Sequence, residues 1–284
     1  MRAGTGKGDA MKKLLALGLC VALWALAHAV ASAAEGEMKL DRAPIDARDL
    51  GSLQVGARTF VNYCLNCHAA GLMRYNRLRD LGLSDEQVKD NLLFTAEKVG
   101  GMMDIAMTRQ DAKLWFGTVP SDLSVIARSR GTDWLYTYLR TFYRDPASTT
   151  GWNNLVFDRV AMPHVLWQLQ GEQVLDVREF KSRDEAEAAR IQSRAFGLVE
   201  EAPARSGAAE SRRYLLKTTR IDRPGTMTPI QYDETVRDLV NYLEWMSEPN
   251  QVFRKQVGIV VVFFCAILIF ITWFLYKEFW KDVH

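Results

Sequence analysis

The most prominent hydrophobic features of this chain are two long apolar runs and two periodic stripes. The first run, Leu14 to Val30, follows Lys12 and Lys13 and precedes Ala31-Ser32-Ala33. Basic, apolar and small-residue segments in that order predict a secretory leader over residues 1–33, cleaved after Ala33. An uncleaved anchor is the alternative, because the run is somewhat long. The second run, "VGIVVVFFCAILIFITWFLY" at 257–276, has no charge over twenty residues. A helix of that length crosses roughly 30 Å of hydrocarbon. Trp273, Tyr276, Phe279 and Trp280 supply aromatics for one interface. Basic residues flank both ends, so the leader decides the orientation: residues 34–250 are exported and 277–284 form a cytoplasmic tail.

The two stripes have helical spacing. In "LQVGARTFVNYCLNCH" at 53–68, Gly56, Phe60, Cys64 and His68 recur every four residues and share one face. The glycine permits close approach of another element, and Phe60 is expected against a cofactor or a partner helix. Further on, Thr228, Pro229 and Gln231 form an N-cap, first-turn proline and capping-box partner. Asp233 and Glu234 are placed in the first turn, where acid suits the helix dipole. Val236, Leu239, Val240, Leu243 and Met246 follow as an apolar stripe, widened by Tyr242 and Trp245 and ended by Pro249. This helix is expected to pack on the first, with its stripe as core.

Composition adds little. The chain has 284 residues, is 48% hydrophobic and carries a net charge of +2. Removing Arg2, Lys7, Lys12, Lys13 and Asp9 with the leader leaves 32 basic and 33 acidic side chains of the original 36 and 34. Such balance argues against a nucleic-acid partner.

Cysteine usage is more telling. Cys20 lies in the leader and Cys265 in the apolar span, so the exported part holds only Cys64 and Cys67. A disulfide between them would close a very tight loop, and one pair is a poor framework for a domain this size. A thioredoxin-like site would not require the histidine, and zinc would need two further ligands. Cys64-Leu65-Asn66-Cys67-His68 matches C-x-x-C-H, the attachment signature of c-type haem. Two thiols add to the two vinyl groups of one porphyrin, and the adjacent imidazole meets the iron from one face.

A six-coordinate haem needs a ligand opposite His68. Met73, Met102, Met103, Met107, Met162, Met227, Met246 and His164 are all available. Met162 and His164 lead, because Pro163 interrupts helix continuation and suits a loop that delivers one side chain.

Taken together these features resemble the cytochrome c1 family, the membrane-anchored haem subunit of the bacterial quinol–cytochrome c reductase (cytochrome bc complex). The pieces are the C-x-x-C-H at 64–68, "PSDLSVIARSRG" at 120–131, "AMP" at 161–163, "TPIQYDETVRDLVNYLEWMSEP" at 228–249 and the terminal span. The resemblance implies one covalently bound haem c on Cys64 and Cys67, with His68 and Met162 as axial iron ligands. It also implies a haem-propionate partner in Arg130, whose planar fork suits a carboxylate. Two departures stand out: Ser121 replaces a more usual proline, and His164 follows Pro163 where prolines are common.

The expected architecture is mostly α, a c-type cytochrome domain with one C-terminal transmembrane helix. Residues 171–226 are expected to be an inserted surface segment, with a short exposed helix in "KSRDEAEAARIQSRAF" and a flexible linker in "EEAPARSGAAESRR". The resemblance implies electron transfer from a Rieske iron–sulfur protein to a soluble cytochrome c, beside cytochrome b in the inner membrane, with the haem domain in the periplasm. No independent catalytic site is expected. The main rival is a membrane-tethered carrier feeding a terminal oxidase; a haem peroxidase would need an open sixth position.

Overall fold

The computed structural model describes residues 38–193, 196–202 and 213–282. The predicted leader therefore lies outside the described residues, as do most of the linker positions.

Two helices make the frame. Helix α1, Leu50–Thr59, starts at Asp49, whose side chain accepts from the Ser52 N–H at 3.0 Å. It runs into a wider π turn over Phe60–Cys64, closed by the Leu65 N–H on the Phe60 carbonyl. Its partner is the helix Pro229–Ser247, with the anticipated capping box between Thr228 and Gln231. The two cross where Gly56 sits. A Cβ there would lie 2.0 Å from the Asp238 carbonyl oxygen and 2.7 Å from Tyr242 Cβ. Phe60 is fully buried against Tyr242, ring centroids 5.6 Å apart, which settles its expected role as a helix contact.

Polar groups lock the crossing. The Ser52 hydroxyl donates to Asp238 at 2.7 Å, and Asn241 donates to Ser52 Oγ at 2.9 Å and to the Asp46 carbonyl at 2.8 Å. The stripe Val236, Leu239, Val240, Leu243 and Met246 is buried, with Tyr242 and Trp245. One expectation needs correction. Asp233 and Glu234 lie beyond the first turn, which holds no acid. Asp233 serves a tertiary ion pair with Arg140, at 2.7 and 3.0 Å, and Arg140 also reaches Asp41 at 2.7 Å.

Smaller elements fill the space between. Strand β1, Ala70–Arg74, pairs with β2, Met102–Met103. Helices α2, Asp85–Asn91, and α3, Arg109–Phe116, lead to α4, Ile126–Arg130, and α5, Thr132–Arg140. A hairpin of β3, Phe142–Arg144, and β4, Trp152–Asn154, follows, then the single turn α6, Trp167–Gln170.

The segment from 171 onward contains more structure than its composition suggested. The expected helix is α7, Arg183–Ser193, but it lies on an antiparallel sheet. Strands β5, Gly171–Phe180, β6, Gly197–Glu201, and β7, Tyr214–Pro224, pair in the order β5-β7-β6. Glu200 and Glu201, placed in the linker, belong to β6. The strands are not legible in the sequence because their alternation is weak: Leu216 and Thr218 are the buried β7 positions, and Ala186 is the buried residue of the helix. Long-range pairing supplies what local pattern does not. At the root, Gly171 and Gly225 are pressed together: a Cβ on Gly225 would meet the Gly171 nitrogen at 2.4 Å.

Numbered in chain order, Pro229–Ser247 is α8 and the terminal helix Gln251–Phe279 is α9. The 29 residues of α9 include none that is buried. At about 1.5 Å per residue it is long enough to span a bilayer, and by length and composition it is a candidate membrane span. Only Glu248, Pro249 and Asn250 separate it from α8, and Arg254 pairs with Glu248 across the junction.

The α1–α8 crossing predicts a clear outcome for Gly56→Ala. The added methyl overpacks backbone rather than a yielding side chain, so the variant should lose roughly 1–3 kcal/mol or more. Denaturant unfolding of the purified protein measures it, and an unchanged midpoint would show that the helices separate at no cost.

Candidate functional site

The π turn ends at Cys64, and the chain then tightens: the Cys67 and His68 N–H groups both donate to the Cys64 carbonyl, at 3.1 and 2.9 Å. This puts Cys64, Cys67 and His68 on the wall of one cleft of about 410 Å³. Both thiols are free. Burial, helped by Cys67, pushes the Cys64 thiol up to about 12, and burial raises Cys67 as well.

A loop holds the histidine. His68 Nδ1 lies 2.7 Å from the Ser121 carbonyl oxygen, which can only accept, so Nδ1 carries the proton and Nε2 keeps its lone pair. Burial lowers the imidazole's pKa, against the Ser121 bond and the nearby Asp122, so the neutral form is favoured. The loop is stitched to the strand after the motif. Leu123 donates to the Ala69 carbonyl at 2.8 Å, and Leu72 donates to Ser124 Oγ at 3.0 Å. Asp122 accepts from the Gly71 and Ser124 N–H groups at 2.8 and 2.7 Å. Burial opposes ionisation of Asp122, yet hydrogen bonds from Ser124 and Gly71, with His68 nearby, hold its carboxyl below the usual range. Ser121 acts here through its backbone carbonyl, so its departure from proline leaves the support of His68 intact.

Met162 lines the same cleft; Met73, Met102, Met103, Met107, Met227 and Met246 do not. Met103 and Met246 are core residues, the former accepting from the Tyr242 hydroxyl at 3.7 Å. His164 also stands away from the cleft. It is buried, stacked on Phe142 at 4.9 Å and edge-on to Trp152 at 5.1 Å. Burial pushes its imidazole down to about 4, with Gln170 opposing, so it is a neutral packing residue. Its burial rules out a surface position.

Arg130 stands on the cleft wall, its guanidinium 5.0 Å from the Trp134 ring and 5.8 Å from Phe157. Among the described residues it has no carboxylate partner in an ion pair. Behind it runs a column spaced by four: Trp134 stacks on Tyr138 at 4.7 Å, and Tyr138 meets Phe142 edge-on at 4.9 Å. The spacing Arg130, Trp134, Tyr138 and Phe142 was visible in the sequence, but helical aromatics ordinarily read as core. Leu239 and Leu243, expected as pure core, also line the cleft.

The donor set suits a macrocycle. Among the described residues no three His, Cys, Asp or Glu side chains converge to hold a bare ion. What converges is one neutral imidazole, one thioether and two thiols in a wall of Leu, Val, Ile, Pro and aromatic side chains, with one cation at its edge. That is what a flat apolar ring with a central iron and anionic substituents requires.

Comparison with known proteins agrees. The model of the Cytochrome C1 family matches residues 41–176 and 225–283, leaving out most of the inserted sheet. A protein of Nitrosomonas europaea named ammonia monooxygenase gamma subunit is 44% identical over 259 residues, 91% of this chain and 95% of that one. Cytochrome c1 of Allochromatium vinosum is 40% identical over 260 residues, 91% of this chain and 96% of that one. Cytochrome c1 of Rhodospirillum rubrum is 25% identical over 259 residues, covering 83% of each. With the family match spanning most of its length and these relatives aligned nearly end to end, the chain belongs to the cytochrome c1 family of haem-containing electron-transfer subunits.

Proposed function

We propose that the chain is the cytochrome c1 of a quinol–cytochrome c reductase, taking single electrons from a Rieske iron–sulfur protein and passing them to a soluble cytochrome c. The observation that carries the reading is the convergence of His68, Met162 and two free thiols on one apolar cleft. In this reading Cys64 and Cys67 would hold the haem covalently, and His68 and Met162 would ligate its iron. Haem, when bound, supplies the one-electron iron couple.

The chain's own groups do the rest. Ser121 keeps the His68 proton on Nδ1, so a lone pair remains at Nε2. Arg130, on the cleft wall, would neutralise a propionate. Leu239, Leu243 and the aromatic column exclude water, which keeps the dielectric low and reorganisation small. The helix α9 anchors the domain at the inner membrane beside cytochrome b, with residues 34–250 in the periplasm after loss of the leader. No proton-transfer or nucleophilic group is required of this chain, and quinol chemistry belongs to another subunit.

Gentle solubilisation of native membranes tests the assignment. The chain should purify with a b-type cytochrome and a Rieske protein. Recovery with a terminal oxidase alone, or with an ammonia monooxygenase as the Nitrosomonas relative's name suggests for that protein, would overturn it.

The ligand assignment predicts opposite results at neighbouring positions. Met162→Leu keeps apolar volume but should lose low-spin character, lose the weak near-infrared band of methionine-ligated ferric haem, and lower the midpoint potential. His164→Ala should keep all three. The reverse pattern would mean bis-histidine ligation.

Covalent attachment is tested separately. In the Cys64→Ala, Cys67→Ala double variant, haem staining on a denaturing gel should disappear, and undiminished staining would refute both thioether bonds.

A further inference from the structure

The cleft holds one polar contact that ligation by itself does not demand. The Tyr138 hydroxyl donates to Met162 Sδ at 3.4 Å. Tyr138 is buried, and among the described residues no other acceptor takes its proton. Its ring has little freedom to turn away. Trp134 is stacked on it at 4.7 Å and 12°, and Phe142 meets it at 4.9 Å and 67°. Phe142 is backed in turn by His164, stacked at 4.9 Å and 5°. The hydroxyl is therefore aimed by a wall of rings, whereas methionine, with its unbranched and rotatable side chain, needs aiming.

We propose that Tyr138 is a positioning residue for Met162: its hydroxyl occupies one sulfur lone pair, directs the other toward the iron, and biases the couple toward the reduced state. This rests on Met162 being the distal ligand. A thioether sulfur has two lone pairs and is a weak acceptor. With one taken by the hydroxyl, a single direction remains for the metal. The hydrogen-bonded proton also places the positive end of a dipole beside the sulfur. In a cleft of low dielectric that opposes the extra positive charge of the oxidised centre more than it affects the reduced one. Removal of the hydroxyl strengthens sulfur donation to ferric iron and favours oxidation.

Tyr138→Phe in the full-length, haem-loaded chain isolates the hydroxyl, because the ring and its stacking partners stay. The midpoint potential should fall and the ferric near-infrared band should shift, with low-spin character, covalent haem staining and melting temperature unchanged. In the Met162→Leu background the same substitution should leave the potential where that variant has it. A fall of equal size in both backgrounds would assign the effect to general polarity and overturn the proposal. If Met162→Leu abolishes the band while Tyr138→Phe keeps parental potential and band, the ligand reading stands and the role of Tyr138 falls. If Met162→Leu retains the band, both fall. Should Tyr138→Phe load haem poorly, ring-fluorinated tyrosine at 138 supplies a more acidic donor of nearly the same shape. The midpoint should then rise above the parent's, and no change would overturn the proposal.

Discussion

Helices α1 and α8 approach so closely at Gly56 that one methyl group would meet the Asp238 backbone at 2.0 Å. Much of the architecture depends on that contact. Phe60 reaches Tyr242 because of it, and Ser52, Asp238 and Asn241 share hydrogen bonds across it. The site depends on it too. The π turn that continues α1 delivers Cys64 to the cleft, and α8 supplies Leu239 and Leu243 to its lining. Because α8 leads within three residues to the apolar α9, the crossing also ties the cysteine motif to the candidate membrane span. Separation of the helices would loosen packing, site and anchor together.

Two parts of the cleft wall are supported by different physics. On the histidine side the support is polar: the His68 ring meets the Ser121 carbonyl, and backbone groups of residues 69–72 meet the Asp122 carboxylate, the Leu123 N–H and the Ser124 hydroxyl. Backbone carbonyls and amides tolerate side-chain change, which is why Ser121 serves where a proline is more usual. On the methionine side the support is aromatic. Trp134, Tyr138, Phe142 and His164 form a continuous column from the guanidinium of Arg130 inward. His164, the other departure from the family pattern, is absorbed there as a neutral ring, and burial keeps it neutral.

The inserted sheet shows a third kind of constraint. It is attached through a pinch of two glycines, Gly171 and Gly225, where backbone lies on backbone. Gln173 then donates to the Arg140 and Phe142 carbonyls at 2.9 and 2.8 Å, fastening the root of the arm to α5 and β3. Its outer part buries few side chains of its own. The arm is thus held at its base, and among the described residues the cleft beside Cys64 and His68 draws no lining residue from it.

Several features were legible in the amino-acid order because their causes are local. The Thr228–Gln231 capping box involves residues three apart, the stripe on α8 follows from helical period, and α9 declares itself by twenty uncharged residues. Cys64, Cys67 and His68 could be paired with a cofactor because the chemistry requires them adjacent. Other features depend on partners far along the chain. Nothing near Asp233 announces Arg140, 93 positions away, so helix-dipole reasoning put it in the wrong role. Strand β5 acquires its identity from β7, some forty residues later, because neither buries enough to show an alternating pattern alone. Met162 is one of seven candidate ligands among the ten methionines of the sequence. Only folding separated Met162, facing the cleft and hydrogen-bonded to Tyr138, from Met103 and Met246 in the core. Sequence order determines short-range hydrogen bonding and periodicity; which thioether meets which cavity is decided by close packing of distant segments, where volume and burial are collective properties.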